Sequence, residues 1–202
     1  KWAIELLPFD ITYKPRRAIK SQGLADFIAE WTEAVLPKVY NTYSNWVMYF
    51  DGSKMLAGLG AGVVLTSPSG DVVQYVLQIL YTDSNNAAEY EALLHGLRMA
   101  VSMGIQRQEV RGDSNLAISQ INGDFDAKDP KMAAYHNAIL KMSARFEGVE
   151  FHHVVRESNQ AADVLAHIGA KRDPVPPNIF LERVFKPSVR WKGGRGNTRP
   201  GP

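Results

Sequence analysis

Three strand patterns follow one another directly in residues 46–81, and this run limits the possible folds more than any other feature of the chain. Alternating apolar and polar residues, or clustered β-branched residues, predict strands at 46–51, 59–66 and 72–81. Helical patterns then alternate with two further strands, one ending at Asp113 and one at residues 149–155. The predicted helices cover residues 85–103, 115–122, 129–145 and 159–169. This order predicts an α/β fold, a mixed five-stranded sheet with helices packed on its faces.

The composition excludes several classes of protein. With 202 residues and 45% hydrophobic content, the chain can bury one substantial core and still have material for flanks. The formal charge of +2 gives no argument for nucleic-acid binding. The absence of cysteine excludes disulfides, thiolate metal sites and cysteine nucleophiles, and it fits a reducing compartment. We therefore expect an intracellular location, cytoplasmic or nuclear. No apolar run reaches the ~18–20 residues that cross a bilayer, and no secretory leader is visible, so no membrane partner is expected.

Four carboxylates lie on four separate predicted elements, each within a distinctive local sequence. Asp51 ends the first strand, and Glu89 lies near the start of the first helix. Asp113 ends the fourth strand, and Asp163 lies early in the last helix. Magnesium prefers oxygen ligands and keeps several waters, so its sites need a few converging carboxylates. The four acids are therefore candidates for a divalent metal site.

Each of these acids also has an interpretation that needs no metal. An Asp-Gly pair such as Asp51-Gly52 is common in hairpin turns. Asp113 could cap the helix that follows it. Asp163 lies where the helix dipole favours a carboxylate without any further function. The interpretation as ligands depends on the four acids occurring together in their motifs.

Helical spacing selects Glu89 rather than Glu91 as the candidate ligand. Glu89 shares a stripe with Leu93 and Leu97, on the side that faces the sheet. Burial of an unpaired acid there would be costly, and a bound cation removes that cost. Glu91 lies on a more polar face with His95, and we expect it to be exposed.

The order of these motifs resembles the ribonuclease H family, whose members cut the RNA strand of RNA–DNA hybrids. The resemblance covers roughly residues 44–170 and implies a type 1 domain with a ribonuclease-H-like fold. It also implies two Mg²⁺ ions, with Mn²⁺ as a possible substitute, held by four catalytic residues: Asp51, Glu89, Asp113 and Asp163. Asp51 would bridge both ions, while Glu89 and Asp113 would lie on the leaving-group side. Asp163 would lie beside the nucleophilic water.

The resemblance further implies contacts with nucleic acid. Asn85 and Asn86 match asparagines that meet the minor groove, where the 2′-hydroxyls of RNA are displayed. Either asparagine could instead cap the helix. The remaining candidate substrate contacts are Gly52, Ser53, Ser114 and Asn159.

Two features of well-studied bacterial relatives are missing. A short acidic connection at residues 123–130 replaces the basic handle helix, so affinity for hybrid should be modest. The loop that carries the family's histidine is shortened to residues 155–158, where Arg156 is the better candidate for a neighbouring charge. His152 and His153 precede that loop and alternate along a strand, so we expect structural roles for them.

The flanks suggest a larger polypeptide. Residues 1–35 resemble the last strand and helix of a preceding ribonuclease-H-like unit that is associated with a reverse transcriptase. Such an arrangement is similar to plant gypsy-type long-terminal-repeat retrotransposon polyproteins. The alternative is a chance amphipathic helix. Residues 36–44 form a linker before the domain at 45–170, and residues 171–202 are predicted to be a disordered Pro/Gly/Arg-rich tail. Because the chain begins with lysine, we interpret it as an excerpt of a longer polypeptide or an incomplete gene product.

The sequence thus predicts a magnesium-dependent endonuclease that hydrolyses the RNA strand of RNA–DNA hybrids within a retrotransposon polyprotein. Its expected partners are the hybrid and the reverse transcriptase and integrase parts of the same polyprotein. One alternative is a catalytically idle nucleic-acid-binding or spacer module. Another keeps the fold but changes the substrate, since integrases and junction resolvases build related acidic sites on similar sheets.

Overall fold

The structure is a computed structural model that describes residues 45–123 and 129–191 of the chain. Its strands are β1 (Trp46–Met55), β2 (Gly58–Thr66), β3 (Val72–Ile79), β4 (Arg107–Gly112), β5 (Gly148–His153) and β6 (Phe180–Val184). Its helices are α1 (Asn85–Ser102), α2 (Asn115–Asn122), α3 (Pro130–Ser143) and α4 (Gln160–Lys171), with a 3₁₀ turn at Arg156–Ser158. Within these ranges, no helix is both long enough and apolar enough to cross a membrane.

The sheet is mixed, with strand order β5-β4-β1-β2-β3-β6. The first three strands form an antiparallel meander, in which β2 pairs with both β1 and β3. On the other side of β1, β4 and β5 add in parallel. Parallel neighbours need a crossover connection, and helices α1 to α3 lie in those connections. The predicted succession of three strands, then helices alternating with two strands, is confirmed.

The sheet has six strands where five were predicted. The additional strand β6 pairs in parallel with β3, from Tyr75 opposite Phe180 to Ile79 opposite Val184. It lies within the segment 171–202 that the sequence predicted to be a disordered tail, and that prediction is wrong for these residues. A short edge strand with four of its five residues exposed has no alternation of apolar and polar side chains, so the usual strand signal is missing.

Helices cover both faces of the sheet. Helix α1 packs over β1 and β2 on one face, and its partner α3 lies beside it. Helix α4 packs on the opposite face, directly on β2. A Cβ atom on Gly60 would lie 2.1 Å from the backbone nitrogen of Ala170, and one on Gly62 would lie 2.2 Å from the carbonyl oxygen of Ala162. Glycines in β2 thus permit the close approach of α4.

The main core lies between the sheet and the layer of α1 and α3. Its fully buried side chains include Met48 and Phe50 from β1, Leu93 and Leu97 from α1, and Tyr135 from α3. Burial of each such large side chain stabilises the fold by about 1.5–3 kcal/mol. This packing holds the end of β1 and the start of α1 in a fixed relation, and both carry candidate site residues.

Several predictions fall outside the described residues. They concern the remnant of a second unit at residues 1–35, the linker at 36–44, the central part of the acidic connection at 124–128, and the tail from residue 192 onward. They stay predictions.

Candidate active site

The parallel pairing of β1 with β4 brings two of the four acids together. Phe50 is the register partner of Gly112, where the pairing of β1 with β4 ends, so Asp51 within β1 and Asp113 just after β4 lie side by side. Carboxyl ends of neighbouring parallel strands meet at one edge of a sheet, which is where ligand sites of such sheets commonly lie.

Glu89 reaches the same edge from the first turns of α1. A hydrogen bond fixes the start of this helix, since Ser84 is its N-cap and its side chain accepts from the N–H of Ala87 at 3.1 Å. The helix lies so close to β1 that a Cβ atom on Gly52 would be 2.2 Å from the backbone nitrogen of Glu89. Gly52 in turn donates its N–H to Oε2 of Glu89 at 3.1 Å.

Asp51, Glu89 and Asp113 converge on one point. Each offers one carboxylate oxygen, and these three oxygens all lie within 4.8 Å of one another. Asp51 is only 5% exposed and Glu89 only 7%. Within residues 45–123 and 129–191, this is the one group of three or more acids or histidines close enough to hold a metal ion.

Burial and the convergence of like charges together raise the pKa of two of these acids. Burial, together with the charges of Asp113 and Asp163, raises the pKa of Asp51 to about 7. Burial and the charges of Asp51 and Asp113 raise the pKa of Glu89 to about 9. A bound cation would offset both causes of these pKa shifts, the burial of the carboxylates and their mutual repulsion. Three hard carboxylate oxygens of this kind fit Mg²⁺ or Mn²⁺, so the donor set is suited to the metal that the family resemblance implies.

The fourth acid lines the same cavity but has other partners. Asp163 lies in the first turn of α4, where Nη2 of Arg156 donates to its Oδ1 at 3.0 Å. Nδ1 of His167 lies 3.3 Å from Asp163 Oδ2 and 2.8 Å from the Asp163 carbonyl oxygen, to which it donates. The structure therefore groups three of the four predicted ligands tightly and places Asp163 at the wall, paired with a cation.

The site cavity has a volume of about 360 Å³. Its lining residues are Asp51, Gly52, Ser53, Lys54, Asn85, Glu89, Asp113, Ser114, Arg156, Asp163 and His167. Four predicted substrate residues, Gly52, Ser53, Asn85 and Ser114, are thus at the site. The predicted charge Arg156 is there as well.

Two predicted substrate residues are placed elsewhere. Asn86 points to α3, where its amide donates to Sδ of Met132 at 3.2 Å. Asn159 is 0% exposed, so the predicted substrate contact is wrong for this residue, and its amide faces Phe50 and Asp113 instead. The sequence could not reveal these contacts, because the partners of both asparagines are distant in the chain.

The capping alternatives are also decided. Ser84 is the N-cap of α1, which excludes Asn85 and Asn86 from that role. Ser114 is the N-cap of α2, and its hydroxyl accepts from the N–H of Ala117 at 3.4 Å, so Asp113 is not the cap.

Sequence reasoning missed two residues of the cavity wall, Lys54 and His167. His167 follows Asp163 by four residues on one helix, so the i, i+4 spacing could have revealed it. Lys54 directly follows the Asp51-Gly52-Ser53 motif, but no spacing rule singled it out. His152 and His153 do not line the cavity; His152 contacts Glu150 at 3.1 Å on the surface, which agrees with a structural role.

Glu91 is a clear correction. It was predicted to be exposed and is 0% exposed. Its Oε1 accepts from Tyr81 at 2.7 Å, from Tyr135 at 2.5 Å and from the backbone of Ser188 at 2.7 Å. Burial alone raises the pKa of Glu91, but hydrogen bonds from His95, Tyr135 and Ser188 outweigh it and lower the pKa to about 2. Helix α3 and the segment after β6 cover this face, and the pattern within α1 carries no information about them.

The sheet order, the helices on both faces and the acidic cluster where the pairing of β1 with β4 ends define a ribonuclease-H-like domain. Residues 49–169 match the model of the family described as reverse transcriptase-like, which is more than half of the chain. The chain belongs to this family, and the fold of its described domain is that of ribonuclease H type 1.

Known proteins support this assignment. A Halobacterium salinarum protein named Ribonuclease HI is 36% identical over 121 residues, which are 59% of this chain and 61% of that protein. The crystal structure of RNase H1 from H. salinarum has a TM-score of 0.58 and 30% identity, covering 65% of this chain and all of that one. The crystal structure of LC11-RNase H1 in complex with RNA/DNA hybrid has a TM-score of 0.56 and 28% identity, and the match covers 63% of this chain and 98% of that one. The chain therefore spans about three fifths of the length of this curated relative.

Proposed function

We propose that this chain is a divalent-metal-dependent endonuclease that hydrolyses the RNA strand of RNA–DNA hybrids. The observation that carries the proposal is the convergence of Asp51, Glu89 and Asp113, whose carboxylate oxygens lie within 4.8 Å of one another. The similarity to LC11-RNase H1, a protein crystallised with RNA/DNA hybrid, supports the choice of substrate.

The metal is proposed to be Mg²⁺, in two ions, with Mn²⁺ as a substitute. Asp51, Glu89 and Asp113 would hold it, and Asp163 would join them once it is released from Arg156. Bound divalent cations supply water activation and charge stabilisation for an in-line displacement at phosphorus. The chain's own contribution is to gather the carboxylates: the absence of a side chain at Gly52 lets the backbone of Glu89 approach β1, and the N–H of Gly52 holds Oε2 of Glu89.

The cavity wall offers the groups that would contact the substrate. Asn85 is exposed beside Glu89 and can form hydrogen bonds with the minor-groove face of a hybrid, where 2′-hydroxyls distinguish RNA from DNA. The hydroxyls of Ser53 and Ser114 and the cation of Lys54 line the same cavity and can contact phosphate oxygens.

The reaction is a hydrolysis. The oxygen of water bonds to phosphorus as the water gives up a proton, the bond from phosphorus to the 3′-oxygen breaks, and that oxygen takes a proton. The products are a 3′-hydroxyl and a 5′-phosphate. The Nδ1–H of His167 is held by the carbonyl oxygen of Asp163, so Nε2 is the ring nitrogen that remains to exchange a proton.

The wider setting is proposed from the sequence. The sequence resemblance of residues 1–35 to the end of a preceding unit, together with the family description, favours a retrotransposon polyprotein in which reverse transcriptase and integrase parts accompany this domain. The cysteine-free composition and the hybrid substrate favour an intracellular location, in cytoplasm or nucleus.

A specific observation favours the second candidate function, a catalytically idle nucleic-acid-binding module. Asp163 is paired with Arg156 and His167 and stands outside the three-acid group. If these contacts persist in the presence of metal and substrate, the fourth ligand is lost and the module binds without turnover.

One experiment separates the two. The 202-residue chain and its Asp51→Asn variant are incubated with labelled hybrid, single-stranded RNA and duplex DNA, with Mg²⁺ and with a chelator. Magnesium-dependent cutting of the RNA in hybrid by the unaltered chain alone supports the nuclease. Hybrid binding without turnover supports the idle module, and preferential cutting of DNA would contradict both.

A further inference from the structure

We infer that Asn159 is a positioning residue whose side-chain amide holds Asp113 and the end of β1 in the geometry that binds metal. The inference rests on the proposed function, since it concerns the same acidic site. It assigns a task to a buried residue that does not touch the substrate.

The amide of Asn159 uses its two N–H groups on two different strands. Nδ2 donates to the carbonyl oxygen of Phe50 at 2.9 Å and to Oδ1 of Asp113 at 3.1 Å. Phe50 directly precedes Asp51, so one amide group fixes the backbone that carries Asp51 and the carboxylate of Asp113. A side-chain amide has two such hydrogens, and both are used here.

Asn159 also connects this junction to the fourth acid. The backbone carbonyl oxygen of Asn159 accepts a hydrogen bond from the backbone N–H of Asp163 at 3.1 Å, in the first turn of α4. The residue therefore links β1, the end of β4 and the start of α4. These are three of the four elements that carry the candidate ligands.

The local geometry shows that this side chain does not serve its own helix. Asn159 occupies the N-cap position of α4 but makes no capping hydrogen bond with its side chain. An asparagine at this position ordinarily accepts from an N–H in the first turn. Here the amide is turned the other way, and its Oδ1 is buried without a hydrogen-bond partner among the described residues. Such a buried acceptor costs free energy, so the side chain is oriented for its donors.

Groups that orient metal ligands from behind commonly change metal affinity by about 10- to 100-fold when they are removed. Asn159 acts on a ligand oxygen of Asp113 directly and on Asp51 through the backbone. Loss of its amide should therefore weaken metal binding and lower kcat, while KM for hybrid changes little.

The test separates positioning from simple structural support. Asn159→Ser removes the bridge to Asp113 but places a residue that caps helices well at the N-cap of α4, so its Tm should be unchanged or higher. Asn159→Ala removes the bridge to Asp113 and leaves a residue that cannot cap α4 with its side chain. The matched control is Gln108→Ala, which truncates another buried amide, 2% exposed, on β4 and away from the cavity. Metal binding is measured by calorimetry with Mn²⁺ and with Mg²⁺, beside thermal unfolding and hybrid cleavage.

The expected result is a metal dissociation constant about 10- to 100-fold higher in both Asn159 variants, with the Tm of Asn159→Ser maintained. Gln108→Ala should leave the metal dissociation constant within about twofold of that of the unaltered chain, because this amide makes no contact with a candidate ligand. Unchanged metal affinity in Asn159→Ser would overturn the inference, as would an equal loss in Gln108→Ala. If the unaltered chain binds metal but does not cut hybrid, the proposed nuclease fails, while calorimetry still decides the role of Asn159.

Discussion

The backbone N–H of Gly52 donates a hydrogen bond to Oε2 of Glu89 at 3.1 Å, although the two residues are 37 positions apart in the chain. This contact exists because α1 crosses β1 at a residue without a side chain. It places the carboxylate of Glu89 beside Asp51 and makes the glycine part of the site's architecture.

Gly52→Ala should displace α1 from β1 and damage the site. The added Cβ would lie 2.2 Å from the backbone nitrogen of Glu89, and backbone cannot yield as a flexible side chain can. We expect a loss of about 1–3 kcal/mol in the free energy of unfolding, and weaker metal binding. Urea unfolding and calorimetry measure the two effects. Gly148→Ala is the control, because its Cβ would meet nothing closer than 3.8 Å; equal tolerance of both changes would contradict the close approach.

Asp51→Asn should abolish hybrid cleavage and keep the fold. The change keeps the volume of the side chain but removes the carboxylate at the centre of the cluster. We expect kcat to fall by about a thousandfold or more, since a charge stabilising the reaction is lost. Circular dichroism should match that of the unaltered chain. Retained magnesium-dependent activity in this variant would exclude the proposed site.

Metal-free protein should lose stability as pH rises. The pKa of Asp51 is raised to about 7 and that of Glu89 to about 9, whereas unfolded carboxyl groups titrate near about 4. Between these values the folded state binds more protons than the unfolded state, so the free energy of unfolding falls from about pH 4 upward through about pH 9. Denaturant unfolding with a chelator should show this fall, and Mg²⁺ should reverse it most at high pH. The double change Asp51→Asn and Glu89→Gln should flatten the profile; a rising profile in the metal-free chain would contradict the shifts.

Arg156→Ala should change metal binding and hybrid binding in opposite directions. Arg156 is exposed and holds Oδ1 of Asp163 at 3.0 Å, so its removal frees that carboxylate for a cation. It also removes a positive charge from the cavity wall. We expect a lower metal dissociation constant, by about threefold to tenfold, and a higher KM for hybrid at low salt. Arg145→Ala, at an exposed position outside the cavity lining, is the control. Metal binding weakened by Arg156→Ala would show that the arginine does not compete for Asp163.

Glu91→Gln should destabilise the domain without affecting metal binding. The carboxylate accepts from Tyr81, Tyr135 and Ser188, and its replacement leaves one or more of these buried donors poorly matched. We expect the free energy of unfolding at neutral pH to fall by about 1–3 kcal/mol. Because the folded pKa is lowered to about 2, this stabilisation is present above the unfolded pKa and is lost as pH falls toward about 2. The variant's acid unfolding should therefore be shallower. Glu150→Gln, an exposed acid, provides the comparison.

Much of the fold could be predicted because its signals are local. Alternation in β1 to β3, the stripe of Leu93 and Leu97 in α1, and short turns specify strands and helices from neighbouring residues alone. The acids Asp51, Glu89 and Asp113 could be selected in the same way, since each lies in or directly beside a strand or helix whose pattern is clear.

Contacts between side chains of distant segments cannot be predicted from such local signals. The sequence by itself determined the succession of strands and helices and the elements in or beside which the acids lie, whereas the structure extends β1 past Asp51 to Met55. Only the tertiary structure decided that Glu91 is buried, that β6 joins the sheet, that Asn159 faces Asp113, and that Arg156 and His167 hold Asp163. The physical reason is that periodicity is a property of one segment, whereas burial and hydrogen bonding depend on segments that may be a hundred residues away in the chain. Asn159 and Phe50, 109 positions apart and joined by one hydrogen bond, are the clearest case.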